Sequence, residues 1–112
     1  MALGSGVTTR KEGLDNKKKS QMHGFGLFAY INGNTYTGQF VGDCKNGHGR
    51  FLWANGDAYD GEWSRDTMTG QGTISYNNGN VYIGTVQANV KHGRGRMKWT
   101  SGDIYDGEWE SG

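Results

Sequence analysis

The strongest constraint on the fold is a pattern that recurs every 23 residues. Tyrosine stands at Tyr36, Tyr59, Tyr82 and Tyr105, and a glycine follows two positions after each of them. Gly-x-Gly motifs recur with the same period, and each is followed by an apolar residue and then by an aromatic one. Agreement at this many positions over successive copies does not arise by chance. We therefore predict a repeat protein in which each unit packs on its neighbours.

Within each unit the apolar positions alternate, which is the period of a β-strand. Tyr36 and Phe40 share one face of a first predicted strand, and Phe51 and Trp53 share one face of a second. The turns between units carry dipeptides that adopt positive φ readily and close hairpins. These are Asn32-Gly33, Asn55-Gly56, Asn78-Gly79 and Ser101-Gly102. The predicted fold is all-β, an elongated single-layer antiparallel meander with about two strands per repeat.

Two expectations follow for the strand register. Gly38 is expected to face Gly49, leaving a gap that neighbouring rings fill. Charge pairing on the opposite face is expected to set the register between units, with Trp53 opposite Tyr59. The charged pairs this register predicts are Arg50–Glu62, Lys98–Asp106, Arg96–Glu108 and Arg94–Glu110.

Composition excludes several classes of protein. Only 33% of the 112 residues are apolar, but 12% are aromatic, the net charge is +1 and there is no proline. Disordered chains are poor in aromatic residues and collagen needs proline, so neither class fits. Residues 1–19 lack the apolar segment of a secretory signal, and Cys44 is a single cysteine. These features favour an intracellular, cytoplasmic protein.

Charge separates a tail from the repeats. Residues 1–21 carry five basic and two acidic residues and no aromatic residue, which predicts a flexible basic tail. The remaining residues, 22–112, form the predicted repeat domain. Its units are a half repeat at 22–35, full repeats at 36–58, 59–81 and 82–104, and a partial repeat at 105–112.

The repeated motif resembles the MORN repeat (membrane occupation and recognition nexus). Its Tyr-x-Gly-x-Trp part reads Tyr59-Asp-Gly61-Glu-Trp63, and its His-Gly-x-Gly part reads His92-Gly93-Arg-Gly95. The family histidine is replaced by Asn46 and Thr69 in two units. The family glycine after the aromatic residue is replaced by residues that tolerate left-handed geometry. These are Asp43, Asp66 and Asn89.

The resemblance implies a curved sheet strip that acts as a scaffold rather than a catalyst. Members of the family occur in ciliary, cytoskeletal and membrane-junction assemblies, and some carry an attached enzyme. No segment of this chain could house such an enzyme, although the chain stops inside a repeat and could be part of a longer protein. The implied location is cytoskeletal or ciliary, with the membrane periphery as the alternative.

The residues themselves support neither an enzyme nor a metal site. Gly-x-Gly here precedes no predicted helix, as a nucleotide-binding loop requires. Cys44 and His48 are too few ligands for zinc, and His23 and His92 share one repeat position, as turn residues would. We therefore expect no enzymatic activity, no metal and no cofactor.

Two surfaces are candidates for binding. A row of aromatic residues on a one-layer sheet is typical of a groove that holds a helix or an extended peptide. Basic residues offer an alternative contact with anionic lipid, whereas nucleic acid is not expected at this net charge. The predicted groove residues are Tyr36, Phe40, Phe51, Trp53, Tyr59, Trp63, Tyr76, Tyr82, Trp99, Tyr105 and Trp109. The predicted anion-contact residues are Lys17, Lys18, Lys19, Lys91, His92, Arg94, Arg96 and Lys98.

The strand that begins at Tyr105 is expected at an edge of the sheet. Unpaired backbone groups at such an edge invite another strand. Weak dimerisation, or docking of another chain, is therefore expected at the C-terminal edge.

Overall fold

The strands form one long strip. A computed structural model describes residues 7–8 and 20–110, and all regular structure in them is β-strand. The strands lie in the sheet in chain order, and the strip measures 53 × 23 × 20 Å. The strands are β1 (Val7–Thr8), β2 (Gly24–Ala29), β3 (Thr35–Val41), β4 (Cys44–Leu52), β5 (Ala58–Ser64), β6 (Thr67–Ser75), β7 (Val81–Gln87), β8 (Val90–Lys98) and β9 (Ile104–Trp109).

The predicted all-β meander is confirmed. Strands β2 to β9 pair antiparallel with their neighbours, whereas the two residues of β1 lie parallel to Leu27 and Phe28 of β2. Most of the predicted basic tail lies outside the described residues, so its flexibility stays a prediction.

Two kinds of turn alternate along the strip. Between repeats, Gly56 N–H donates to the Trp53 carbonyl at 2.9 Å and Trp53 N–H donates to the Asp57 carbonyl at 2.9 Å. Gly56 has φ 102°, the left-handed conformation that favours glycine. Within repeats the turn has two residues, Gly42 and Asp43, both at positive φ, as in a type I′ hairpin. The hairpins predicted at the Asn-Gly positions are therefore confirmed.

The predicted register between repeats is wrong by two residues. Tyr59 lies opposite Phe51, not Trp53, and Arg50 lies opposite Asp60. The reason is the compact turn, in which Trp53 is already hydrogen-bonded to Asp57. Trp53 is therefore not free to pair with Tyr59, and each pair further along the strands differs by two residues from the prediction. A slip of two residues keeps each side chain on its predicted face, since the side-chain period is two. At the last junction the observed pairs are Arg94–Glu108, Arg96–Asp106 and Lys98–Ile104.

A tyrosine lies on a pair of glycines in each repeat. Gly38 is opposite Gly49, as predicted, and the Tyr36 ring occupies the space above them. The Tyr36 hydroxyl donates to the Gln39 carbonyl at 2.9 Å, and the side chain is 0% exposed. Burial raises the pKa of Tyr36 to about 12. Tyr59 and Tyr82 repeat the hydrogen bond and the burial, so this unit builds the core.

Tryptophan rings connect one repeat to the next. The Trp63 ring meets the Tyr36 ring edge-on, with centroids 5.5 Å apart, and its Nε1–H donates to the Gly49 carbonyl at 3.1 Å. Trp109 contacts Tyr82 in the same way, with centroids 5.5 Å apart. Edge-to-face geometry is a favoured arrangement of aromatic pairs, and it stabilises them beyond the effect of the area that they bury.

A side chain at Gly49 is expected to destabilise the fold because of steric contact, not because of backbone conformation. A Cβ at Gly49 would overlap the Tyr36 ring, whereas a Cβ at Gly42 meets nothing within 4 Å. Gly49→Ala should lower the free energy of unfolding by about 2–3 kcal/mol through overpacking. Gly42→Ala is the control and should cost about 1 kcal/mol for its positive φ. Urea unfolding of both variants checks this, and equal losses would contradict it.

Candidate functional site: the aromatic face

The predicted groove residues lie at two depths. We call the side of the sheet that carries Tyr36, Tyr59 and Tyr82 the aromatic face, and the other side the polar face. Six of the predicted groove residues are buried in the interior, too deep to contact a partner, so the prediction that these six line a binding groove is corrected. They are Tyr36, Phe40, Phe51, Tyr59, Trp63 and Tyr82. Trp53, Tyr76, Trp99 and Trp109 are half-buried, and Tyr105 is 44% exposed.

The half-buried residues that a partner can reach form one row. Tyr30, Trp53, Tyr76 and Trp99 occupy the same position in successive repeats, and we call them the outer row. They rest on the core without being covered themselves: the Tyr30 ring centroid is 4.7 Å from that of Phe28. The sequence prediction missed Tyr30. Its equivalence to Trp53 in the repeat was the signal that could have found it.

A lysine also stands on the aromatic face, and the prediction missed it. Lys45 Nζ lies 5.3 Å from the Trp63 ring centroid and 5.7 Å from that of Tyr36, within reach of cation–π attraction. It also donates to the Tyr30 hydroxyl at 3.3 Å and pairs with Asp66 Oδ1 at 3.2 Å. The Lys45 side chain is only 13% exposed. This ammonium is therefore paired and largely covered.

Lys91 repeats the arrangement two units later. Its Nζ donates to the Tyr76 hydroxyl at 3.3 Å and lies 5.6 Å from the Trp109 ring centroid. The same repeat position is occupied by Met22 before Lys45 and by Met68 between the two lysines. Each of these lysines therefore lies beside an outer-row tyrosine, whose hydroxyl accepts its hydrogen bond. Met68 is matched instead with Trp53, which has no oxygen that could accept a hydrogen bond.

Turn residues hold each repeat to the one before it. Asp66 N–H donates to the Lys45 carbonyl at 2.9 Å, and Asp66 Oδ1 accepts from the Lys45 N–H at 2.7 Å. Asp43 and Asn89 make the same two bonds to Met22 and Met68. We call this paired contact the clasp. All three clasp residues have positive φ, as predicted for these departures from the family glycine.

The clasp at Lys45 shifts the pKa of Asp66 itself and of the neighbouring Cys44. Burial would raise the pKa of Asp66, but hydrogen bonds from Lys45 and its positive charge outweigh burial, and the pKa is lowered. The negative charge of Asp66 raises the pKa of the Cys44 thiol. A raised pKa disfavours the thiolate that a cysteine nucleophile needs. His48 meanwhile contacts Asp60 at 2.8 Å, so it is engaged on the polar face.

The predicted basic residues do not form one patch. Arg94 and Arg96 both contact Asp106, at 3.6 and 3.8 Å, and not the predicted partners Glu110 and Glu108. Lys98 is exposed beside them, and His92 is half-buried. Lys91 lies apart, on the aromatic face. Lys17, Lys18 and Lys19 lie outside the described residues, so their anion contacts stay a prediction.

In residues 7–8 and 20–110 no cluster of three or more His, Cys, Asp or Glu could hold a metal ion. Within the same part of the chain no helix has the length and apolarity needed to span a membrane.

Comparison with protein families decides what these repeats are. The model of the MORN repeat matches at residues 17–35, 36–58, 59–81 and 82–104, which is most of the chain. The chain belongs to the MORN repeat family. MORN repeats are generally modules of protein or lipid interaction, and the module itself is non-enzymatic. A search of curated proteins gave no match.

The contribution of the Asp66 charge to this MORN fold can be separated from its hydrogen bonds. Asp66→Asn keeps an acceptor for the Lys45 N–H, as Asn89 does naturally, and removes the charge. Because the folded pKa of Asp66 is lowered, its charge stabilises above its ordinary pKa of 3.8 and is lost as pH falls through the folded value. The carboxylate is 49% exposed, so we expect a loss below about 1 kcal/mol at neutral pH, shrinking in acid.

Urea unfolding at about pH 7 and about pH 3 checks this. Asp43→Asn is the control, since Met22 faces that carboxylate instead of a lysine, and it should cost less at neutral pH. A difference between wild type and Asp66→Asn that does not change with pH would contradict the expectation.

Proposed function

We propose that this chain is a non-enzymatic scaffold or adaptor that holds a helix or an extended peptide on its outer row. The observation that carries the proposal is a row of half-buried Tyr and Trp side chains on a one-layer sheet. Tyr and Trp bury large area at low cost in conformational entropy, which is why they anchor protein interfaces. The resemblance to scaffold members of the family supports, as part of this proposal, a partner in a cytoplasmic, cytoskeletal or ciliary assembly.

Charge favours a protein partner over the alternative, an anionic membrane surface. Arg94 and Arg96 lie on the polar face, away from the outer row, and both contact Asp106. Binding to anionic lipid needs a cluster of basic residues whose positive potential is not neutralised. Among the residues that the structure describes, the aromatic face has instead two lysines two repeats apart, each in contact with rings.

Site-specific photo-crosslinking tests the proposal. Leu52 and Trp53 are neighbours at the end of β4 on opposite faces of the sheet, which makes them a matched pair. We expect p-benzoylphenylalanine at position 53 to crosslink a discrete cellular protein, and the same residue at position 52 to give none. Equal crosslinking from both positions would contradict the use of the aromatic face.

A lipid arm separates the alternative. Protein that pellets with anionic vesicles at low salt and is released at high salt, without any crosslink at position 53, would favour the membrane role, because screening weakens charge-driven binding.

We also propose weak self-association, or docking of another chain, through β9. Among the described residues β9 pairs only with β8, and Tyr105 on its aromatic side is 44% exposed. Its acidic side chains all lie on the polar face and oppose like-with-like pairing only there. The outer edge of β9 therefore offers backbone groups beside an exposed ring.

Sedimentation over a concentration series checks the edge. We expect a weak dimer in the wild type and a monomer in Tyr105→Lys, since a charge on an edge strand blocks pairing. Ile31→Lys is the matched control, because Ile31 is fully exposed in a turn far from β9. A monomeric wild type, or a dimer that persists in Tyr105→Lys, would rule out this edge.

A further inference from the structure

From the comparison of the two lysine positions we infer that Lys91 is a carboxylate-binding site for an Asp or Glu side chain of the protein partner. The inference rests on the proposed function and adds the chemistry of what the aromatic face recognises. Its basis is that the chain contains a similar arrangement twice, once with a carboxylate supplied by the following repeat and once with a glycine at that position.

The filled example is at Lys45. One carboxylate oxygen of Asp66 accepts from the Lys45 N–H at 2.7 Å and lies 3.2 Å from Lys45 Nζ. The ammonium above it is fixed by the Tyr30 hydroxyl and by the surrounding rings. Lys45 and its surroundings thus show how this repeat receives a carboxylate, with one backbone donor and one charged donor directed at the same oxygen.

In the sequence, the position equivalent to Asp66 in the repeat that follows Lys91 carries no carboxylate. The clasp residue lies 21 positions after the residue it holds, and the residue 21 positions after Lys91 is Gly112, which has no side chain. Among the described residues no acidic group lies within 4.0 Å of Lys91 Nζ. Lys91 therefore keeps a tyrosine and a tryptophan ring of the kind that surround Lys45, without the carboxylate that neutralises Lys45.

The rings around Lys91 favour a particular kind of ligand. Its Nζ is fixed by the Tyr76 hydroxyl at 3.3 Å and lies 5.6 Å from the Trp109 ring centroid. Both rings are half-buried, and Tyr76 belongs to the outer row. A charge-assisted hydrogen bond is stronger in such an apolar setting than in water. An acidic residue flanked by apolar ones fits this setting.

A lipid headgroup fits less well. In the described part of the chain, the other lysine on the aromatic face, Lys45, is four strands away, roughly 19 Å at the usual strand spacing. Stable binding to an anionic membrane takes several cations close together. A single positioned ammonium beside a backbone N–H is suited to one carboxylate.

The chain offers a matched pair of variants for a test. Lys91→Met and Lys45→Met each place methionine where Met22 and Met68 stand in other repeats, so both should fold. The probes are two capped peptides, Gly-Phe-Asp-Phe-Gly and Gly-Phe-Asn-Phe-Gly, which differ in a single charge. Amide and indole NMR signals report where each peptide binds and whether each variant is folded.

We expect the Asp peptide to bind wild type about tenfold more tightly than the Asn peptide and to shift the Lys91 amide and the Trp109 indole signals. The preference should disappear in Lys91→Met. It should persist in Lys45→Met, because Asp66 already neutralises the Lys45 ammonium in the wild type. Equal binding of the two peptides to wild type would overturn the carboxylate site while leaving the aromatic face as a peptide surface.

Other outcomes also decide the matter. A preference that survives in Lys91→Met, or no binding of either peptide, overturns the site. Vesicles of phosphatidylcholine with phosphatidylserine provide the lipid arm. Vesicle binding that depends on Lys91, without a preference for the Asp peptide, would assign Lys91 to lipid and overturn the peptide site.

Discussion

The close contact of a tyrosine ring with two glycines is the interaction on which the whole strip depends. A one-layer sheet has no second layer to cover its apolar side, so it must bury rings against its own backbone. Gly38 and Gly49 provide the space, and the ring of Tyr36 fills it and donates its hydroxyl to a backbone carbonyl. Because each repeat contains this unit, the chain builds a core with only 33% apolar residues.

A second order of periodicity lies on top of the 23-residue repeat. Lysine and methionine alternate at one position of the aromatic face, and tyrosine and tryptophan alternate in the outer row. The alternations match: Lys45 meets the hydroxyl of Tyr30, and Lys91 meets that of Tyr76. The chemical unit of the aromatic face is therefore two repeats long, so neighbouring repeats present different groups to a ligand.

Much of the fold can be predicted from residue spacing, because spacing reports which side of a strand each residue faces. The Gly38–Gly49 pairing, the alternating faces and the hairpins all followed from the period of two and the Asn-Gly turns. The register between repeats could not be predicted, since it depends on whether Trp53 still pairs inside the turn. Two registers that differ by two residues put the same side chains on the same faces.

The candidate site was harder to predict, for a different reason. Spacing placed Tyr36 and Trp53 on one face but could not tell that the Tyr36 ring is buried among other rings and that Trp53 stays half-exposed. Lys45 was missed because a lysine is expected in solvent. Only the surrounding rings and Asp66 reveal that this one lies within the aromatic face.

The order of the strands has a mechanical consequence. Because strand order follows chain order from β1 to β9, tension applied between the two ends of the strip acts on the strand interfaces in series. Each strand–strand interface therefore experiences the full force, and its hydrogen bonds break one after another. A MORN strip stretched in this way would yield hairpin by hairpin from its weakest end, and each clasp that opens would release a single repeat while the remaining ones stay folded.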